Sequence, residues 1–185
     1  MAEQDPNSPH LYTSDKIFVK ENSVVVDAGA CEGNFSLHNI EKIRKLYLIE
    51  CDKDWVEALR YTFKPWKEKV VICDKFLSNY DSDTTICLDS LVKENINFLK
   101  MDIEGAELYA LRGASKILNG SNDIRCSICT YHKHDDEKNI KKMLMDIGFQ
   151  IEVSDGYMLF LYDEYVLQNP ELRRGVVRGI KENTN

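Results

Sequence analysis

Residues 23–35 read Ser-Val-Val-Val-Asp-Ala-Gly-Ala-Cys-Glu-Gly-Asn-Phe, and this stretch restricts the fold more than any other. Val24, Val25 and Val26 are β-branched and contiguous, as in a strand buried on both faces of a parallel sheet. Gly29 and Gly33 bracket the turn that follows. Glycine there accepts φ > 0 and lets backbone come close to a ligand. Phe35, Leu37, Ile40 and Ile43 then recur at roughly helical spacing. Strand, glycine turn and helix open a nucleotide site at the carboxyl end of the first strand of an α/β sheet. The pattern is Asp-x-Gly-x-x-x-Gly, running from Asp27 to Gly33. It is not the dinucleotide G-x-G-x-x-G, nor a P-loop, because no Gly-Lys-Ser/Thr follows. The competing reading is a turn that merely needs glycine.

The chain has 185 residues, enough for one domain with a full core. A net charge of −7 and a pI near 5.2 argue against nucleic acid or an anionic membrane as a partner held by bulk charge. No apolar run reaches the ~20 residues of a membrane span. Residues 1–10 lack the apolar core of a signal peptide. A soluble, cytoplasmic protein is expected. Cys31, Cys51, Cys73, Cys87, Cys126 and Cys129 mostly lie in or beside apolar runs, so free thiols are expected rather than a disulfide framework.

Residues 1–10 read as a flexible leader, 11–165 as the folded domain, and 166–185 as a tail, either a terminal helix or partly disordered. The segment 11–19 is expected to pack on the sheet edge or near the site entrance. Residues 46–50 form a second strand ending in Glu50. An acid about 20 residues beyond the glycine turn, at the tip of the second strand, accepts hydrogen bonds from a ribose diol, so Glu50 is preferred over Asp52 for that role, with Cys51 beside it. Val56, Leu59 and Phe63 mark a helix closed by Pro65. A third strand, 70–73, ends at Asp74, placed to accept from an adenine amino group with Lys75 and Phe76 flanking the ring. An ordinary loop acid is the competing reading for Asp74. Residues 84–88 suggest a short strand.

The second informative stretch runs from Ile96 to Glu107. Lys100, Asp102 and Glu104 recur at spacing two, so an extended strand puts them on one face. A lysine in a buried run needs a partner, and Asp102 and Glu104 are nearest, with Glu107 next. The cluster is either structural or faces bound ligand and acceptor. A helix with Ala110, Leu111, Ala114, Ile117 and Leu118 inward follows, ended by Asn119-Gly120. Residues 124–130 make a fifth strand, with His132 just beyond its tip. Asp135, Asp136 and Glu137 open a helix with Ile140, Met143, Leu144 and Ile147 on one stripe, and Gly148 closes it. Residues 149–153 and 157–162 then suggest an antiparallel hairpin around Ser154-Asp155-Gly156.

Asp27-Ala28-Gly29-Ala30, Glu50 at a strand end, and Lys100-Met101-Asp102-Ile103-Glu104-Gly105-Ala106-Glu107 together resemble the FkbM family of methyltransferases. The His132 region and Gly148-Phe149 also fit its pattern, and the resemblance spans roughly residues 17–162. It implies a Rossmann-like class I methyltransferase fold: an α/β, mostly parallel seven-stranded sheet with an antiparallel last strand and helices on both faces. It also implies S-adenosylmethionine as cofactor and methyl transfer to an oxygen of a small molecule or sugar.

On that reading Asp27, Gly29, Ala30 and Gly33 line the methionine side of the cofactor, and Glu50 and Cys51 the ribose. Asp74 and Lys75 flank the base, and Asp102 lies between cofactor and acceptor. Asp102 and Glu104 face the methyl-transfer zone, Lys100 sets their charge, and His132 is the candidate base, since its unperturbed pKa lies near neutrality. Rival readings are a domain that binds cofactor without catalysis and a Mg²⁺ site on Asp102 and Glu104. A zinc set of Cys126, Cys129, His132 and His134 is disfavoured, because residues i and i+3 on a strand point to opposite faces. The oligomeric state is open.

Overall fold

The structure is a computed structural model that describes residues 5–182. Residues 1–4 of the expected leader and 183–185 of the expected tail lie outside it.

β1 (Ser23–Ala28) is an interior strand of the sheet, and all six of its residues are buried. Val24, Val26 and Ala28 pack into one apolar layer and Val25 into the other. Burial on both faces is why the run is continuously apolar rather than alternating. Gly33 caps α1 (Asn34–Asn39) in the left-handed region. The expected helix is shorter than its spacing suggested: a 3₁₀ turn follows α1, and Ile43 already begins β2 (Ile43–Ile49). α2 (Lys53–Thr62) buries Val56 and Leu59, with Asp52 as its N-cap. β3 (Val70–Cys73) completes this half of the sheet.

β4 (Phe76–Leu77) and β5 (Thr85–Ile86) pair with each other in a separate small sheet, ahead of the short α3 (Leu88–Leu91). β6 (Phe98–Met101), α4 (Glu107–Arg112), α5 (Ser115–Gly120), β7 (Ile124–Cys129) and α6 (Asp136–Asp146) build the second half. β8 (Gln150–Val153), α7 (Glu164–Gln168) and β9 (Val176–Lys181) end the described chain.

The seven-stranded order is β3-β2-β1-β6-β7-β9-β8. β1, β2, β3, β6 and β7 run parallel, and β9 is antiparallel to both β7 and β8. The side-chain layer on one face comes from α4, α5 and α6, and on the other from α1, α2 and the N-terminal segment. Among the described residues no helix is long and apolar enough to cross a membrane.

Two expectations are corrected here. Residues 157–162 do not return as a hairpin strand. Tyr157, Leu159, Leu161 and Tyr162 are exposed, and only Met158 makes an isolated bridge, to Arg173. The partner of β8 is β9, drawn from the stretch expected to be a tail, where Val176 and Val177 are fully buried. A local alternation of apolar residues cannot say which of two segments finds a burial partner.

Nor is the N-terminal stretch loose where it is described, for His10 is buried. Asp27, Lys100, Ser127, Arg178 and Glu152 are register neighbours across β1, β6, β7, β9 and β8. They form a polar seam on one face of the sheet. Residues 10–19 lie along that seam as a strap. Ser127 Oγ donates to the Tyr12 carbonyl, Arg178 Nη2 donates to the Leu11 carbonyl at 2.6 Å, and Ser14 Oγ donates to Glu152 Oε2 at 3.1 Å. Arg178 also pairs with Glu152 at 2.7 Å. Ile17 and Val19 fill the apolar layer beside it.

Candidate active site

In this strand order the chain runs outward from β1 to β3, then returns to β6 on the other side of β1. Ligands of open α/β sheets bind outside the carboxyl ends of the strands at such a switch point. A cavity of ≈ 170 Å³ lies there, lined by Gly29, Cys31, Ile49, Glu50, Cys51, Lys75, Phe76, Leu77, Asp102, Ile103, Glu104 and Ala106, as the loops after β1, β2, β3 and β6 require.

Gly29 has φ +71, and a Cβ built on it would lie 1.7 Å from the Asp102 carbonyl oxygen. The turn after β1 therefore closes directly onto the turn after β6. Glu50 is held at the cavity wall by three amides. Its Oε1 accepts from Cys51 and Asp52 at 2.8 and 2.9 Å, and its Oε2 from Cys31 at 3.0 Å. A carboxylate has about four acceptor directions, so roughly one on Oε2 is left for a ligand. Asp52 Oδ1 accepts from the α2 amides of Asp54 and Trp55, and Asp52 does not line this cavity.

Several expected cofactor residues lie elsewhere. Asp27 is fully buried under the turn, its Oδ2 accepting from Ser36 at 2.7 Å and its Oδ1 3.1 Å from Lys100 Nζ. Ala30 belongs to the apolar layer. A Cβ on Gly33 would meet the Phe63 ring at 2.6 Å, so this glycine serves the packing of α1 on α2. Asp74 opens onto a different depression, along α2, with Lys53, Arg60 and Lys64. Lys75 and Phe76 do reach the cavity rim, with Lys75 Nζ donating to the Ser82 carbonyl at 2.9 Å.

The strand does not stay extended through the charged block. β6 ends at Met101, and Glu104 and Gly105 turn through φ 56 and 88. Lys100 points at Asp27 and donates to the Gly29 carbonyl. Its burial would lower its pKa, but Asp27, then Asp102, outweigh that and raise it, so the ammonium stays charged. Asp102 Oδ2 accepts from Tyr12 Oη at 2.9 Å, and Oδ1 from Tyr131 Oη at 3.1 Å. Burial would raise its pKa, but His10, Lys100 and His132 hold it well below the usual carboxylate range. Glu104 stands at the rim with its side chain 80% exposed.

His132 is buried behind this rim. Its Nε2 is 3.4 Å from Asp102 Oδ1 and 3.7 Å from Glu104 Oε2, and its Nδ1 is 3.0 Å from Glu107 Oε1. These contacts have ion-pair distances, but the one to Glu104 is too long for a hydrogen bond and the other two are out of line. Burial works to lower its pKa; Glu107, then Asp102 and Glu104, prevail and raise it. The structure brings His132, Asp102 and Glu104 together, whereas Lys100 serves the turn beneath them.

Glu107, Tyr12, Tyr131 and Phe160 were not picked out as site residues from the sequence. Glu107 is fully buried, with its Oε1 accepting from the Ile103 amide at 2.9 Å. Phe160 sits edge-on to the rings of Tyr131 and His132. The disfavoured four-ligand zinc set is not assembled: Cys126 and Cys129 lie in opposite layers, and His134 is exposed and paired with Glu171.

The sheet order, with its antiparallel β9 and its cavity at the switch point, defines a Rossmann-like methyltransferase fold. The chain belongs to the FkbM methyltransferase family, with residues 6–151 matching the Methyltransferase FkbM domain. No curated protein matches the sequence. Among solved structures, a methyltransferase FkbM from Methylobacillus flagellatus KT is similar, with 19% identity and a TM-score of 0.70 over 90% of this chain and 45% of that one. The chain thus spans less than half of that protein. A precorrin-6y C5,15-methyltransferase from Geobacter metallireducens GS-15 shares 13% identity, with a TM-score of 0.60 over 91% and 84% of the two chains. An rRNA methylase from Streptococcus thermophilus shares 16% identity, with a TM-score of 0.58 over 89% and 90%.

Proposed function

We propose that the protein transfers a methyl group from S-adenosylmethionine to a hydroxyl of a small molecule or sugar. The observation that carries this reading is the switch-point cavity with Gly29 and Asp102 at its base and the amide-held Glu50 at its wall. S-adenosylmethionine, when bound, supplies an electrophilic methyl carbon on a sulfonium. Gly29 gives the close backbone approach such a ligand needs, and Glu50 Oε2 offers one acceptor direction to a ribose hydroxyl. At ≈ 170 Å³ the enclosed space is below the roughly 300–1,000 Å³ of small-molecule pockets, so the base end would extend over the rim. There the exposed Phe76 offers a stacking face beside Lys75.

Asp102 and Glu104 set a negative edge beside the acceptor position, which suits a group near a sulfonium. Behind them His132 is the candidate proton acceptor from the hydroxyl, through Nε2. The acceptor is uncharged or cationic rather than a polyphosphate backbone, since the chain carries a net charge of −7.

Calorimetric titration with S-adenosylhomocysteine tests the cofactor. Binding in the micromolar range, about −8 kcal/mol, weakened at least about tenfold, some 1.4 kcal/mol, by Glu50→Gln, supports the reading. No binding to the unaltered protein removes it. With an acceptor in hand, His132→Asn should keep that affinity and slow turnover by about 10²–10⁴. Unchanged turnover would exclude His132 as the base.

A further inference from the structure

Three elements that are far apart in the sequence bring donor atoms of three kinds to one point on the strap side of Asp102. His10 comes from the strap, Cys129 is the last residue of β7, and Asp102 follows β6. His10 Nε2 lies 3.1 Å from Cys129 Sγ and 3.2 Å from Asp102 Oδ2. Tyr12 Oη is 3.4 Å from the same nitrogen and 2.9 Å from Asp102 Oδ2. The imidazole, thiol and carboxylate donors all lie within 4.8 Å of one another. His10 and Cys129 are 5% and 0% exposed, so these groups are shielded from bulk solvent.

An imidazole nitrogen offers one N–H or one lone pair, yet this Nε2 has a sulfur and two oxygens within 3.4 Å. A hydrogen-bond network leaves such a nitrogen over-subscribed. A cation at the common centre resolves it, because each donor then directs its lone pair inward. Zinc bonded to nitrogen, sulfur and oxygen at about 2.0–2.3 Å sets tetrahedral donor separations of about 3.3–3.6 Å, a few tenths of an ångström wider than the two separations at His10 Nε2.

We propose that His10, Cys129 and Asp102 form a zinc site, with Tyr12 Oη closest to the fourth position. The mixed N, S and O set is borderline in softness and suits zinc over calcium or magnesium. One thiolate and one carboxylate neutralise the ion. Lys100, whose charge also reaches Asp102, is itself paired with Asp27 at 3.1 Å. Tyr131 Oη donates to the other oxygen of Asp102 at 3.1 Å, the outer-shell support a ligating carboxylate needs. The ion would pin the strap, which has no regular secondary structure, to the ends of β6 and β7. This site shares Asp102 with the Asp102 and Glu104 pair considered from the sequence but takes its other ligands from the strap and β7, and it stands whether or not the cofactor reading does.

Purified protein, stripped with a chelator, reloaded with zinc and passed through a desalting column, should retain about one zinc per chain by elemental analysis. X-ray absorption of that sample should show one sulfur near 2.3 Å and N/O donors near 2.0–2.1 Å. Substituting Co²⁺ should give a thiolate-to-metal charge-transfer band that Cys129→Ser abolishes and His10→Ala weakens at least about 100-fold in affinity. No retained zinc, a shell without sulfur or with several, or a band that survives both substitutions would overturn the site. The absorption measurement uses the unaltered chain, so its result does not depend on either variant folding.

Discussion

Lys100 stands beside Asp27 in the register of β6 on β1, its Nζ 3.1 Å from Asp27 Oδ1, with both side chains at most 5% exposed. The same ammonium donates to the carbonyl of Gly29, the residue that closes the turn onto Asp102. One buried ion pair therefore holds the backbone that forms the base of the cavity.

Removing one partner of such a pair strands a buried charge. Lys100→Met is expected to cost about 3–5 kcal/mol in urea unfolding. Adding Asp27→Asn should recover at least about 1 kcal/mol, since the two sites are coupled. A double variant as unstable as the sum of the singles would contradict the pairing.

The two glycines of the first turn should separate experimentally. Gly29→Ala forces a Cβ to 1.7 Å from a backbone carbonyl at φ +71. It should weaken S-adenosylhomocysteine at least about tenfold, as well as destabilise the fold by several kcal/mol. Gly33→Ala meets only Phe63 and Leu59 side chains. It should cost about 2–4 kcal/mol by overpacking and strain and leave affinity unchanged in protein that remains folded.

Asp136, 3% exposed, has its pKa pushed up to about 6 by burial and then by Glu107. Its unfolded value is near 3.8, so between about pH 4 and 6 the folded chain binds the extra proton and stability falls as pH rises. Above pH 6 the penalty is complete, about 3 kcal/mol for two pKa units. Asp136→Asn keeps an oxygen for the Lys133 amide but gives up about 1 kcal/mol of helix-end attraction. It should be about 2 kcal/mol more stable than the parent at pH 7, with the gain gone by pH 4. Thermal melts across that range would show it, and a pH-independent difference would refute the assignment.

Arg173 ties the long β8–β9 connection to the site. Its Nη1 donates to the carbonyls of Tyr131 and His132 at 3.0 and 2.8 Å, and its Nη2 pairs with Asp163 at 2.7 Å. Lysine cannot reproduce this fork. Arg173→Lys should lower stability by about 2 kcal/mol and speed amide exchange in residues 157–172 more than in β1. Equal exchange in both would show that the guanidinium is not the tether.

The charged block shows where reading by spacing stops. Asp102 and His132 were legible because each follows a recognisable strand, and strand ends in an α/β sheet converge. Extending β6 puts Glu104 on the face of Lys100, but φ 56 at Glu104 and 88 at Gly105 end the strand's alternation. Glu107 looks like a spare partner for Lys100, yet the turn carries it to His132. Asp74 is reasonable by position and opens onto another surface, because a loop residue's direction is not set by the strand before it.

By itself the sequence determined the parallel α/β core, the switch-point location, Gly29 and Glu50 at it, and the helices that cover the sheet. Each follows from local rules: β-branched runs, helical periodicity, and glycine where φ is positive. The tertiary structure alone decided that β9 is the inserted strand, that the strap seals the Asp27–Glu152 seam, and that Tyr12, Tyr131, His10 and Cys129 converge on Asp102. Those contacts join residues up to 167 positions apart. No spacing rule relates such residues, and only the strand order together with the path of the strap across the sheet brings them together.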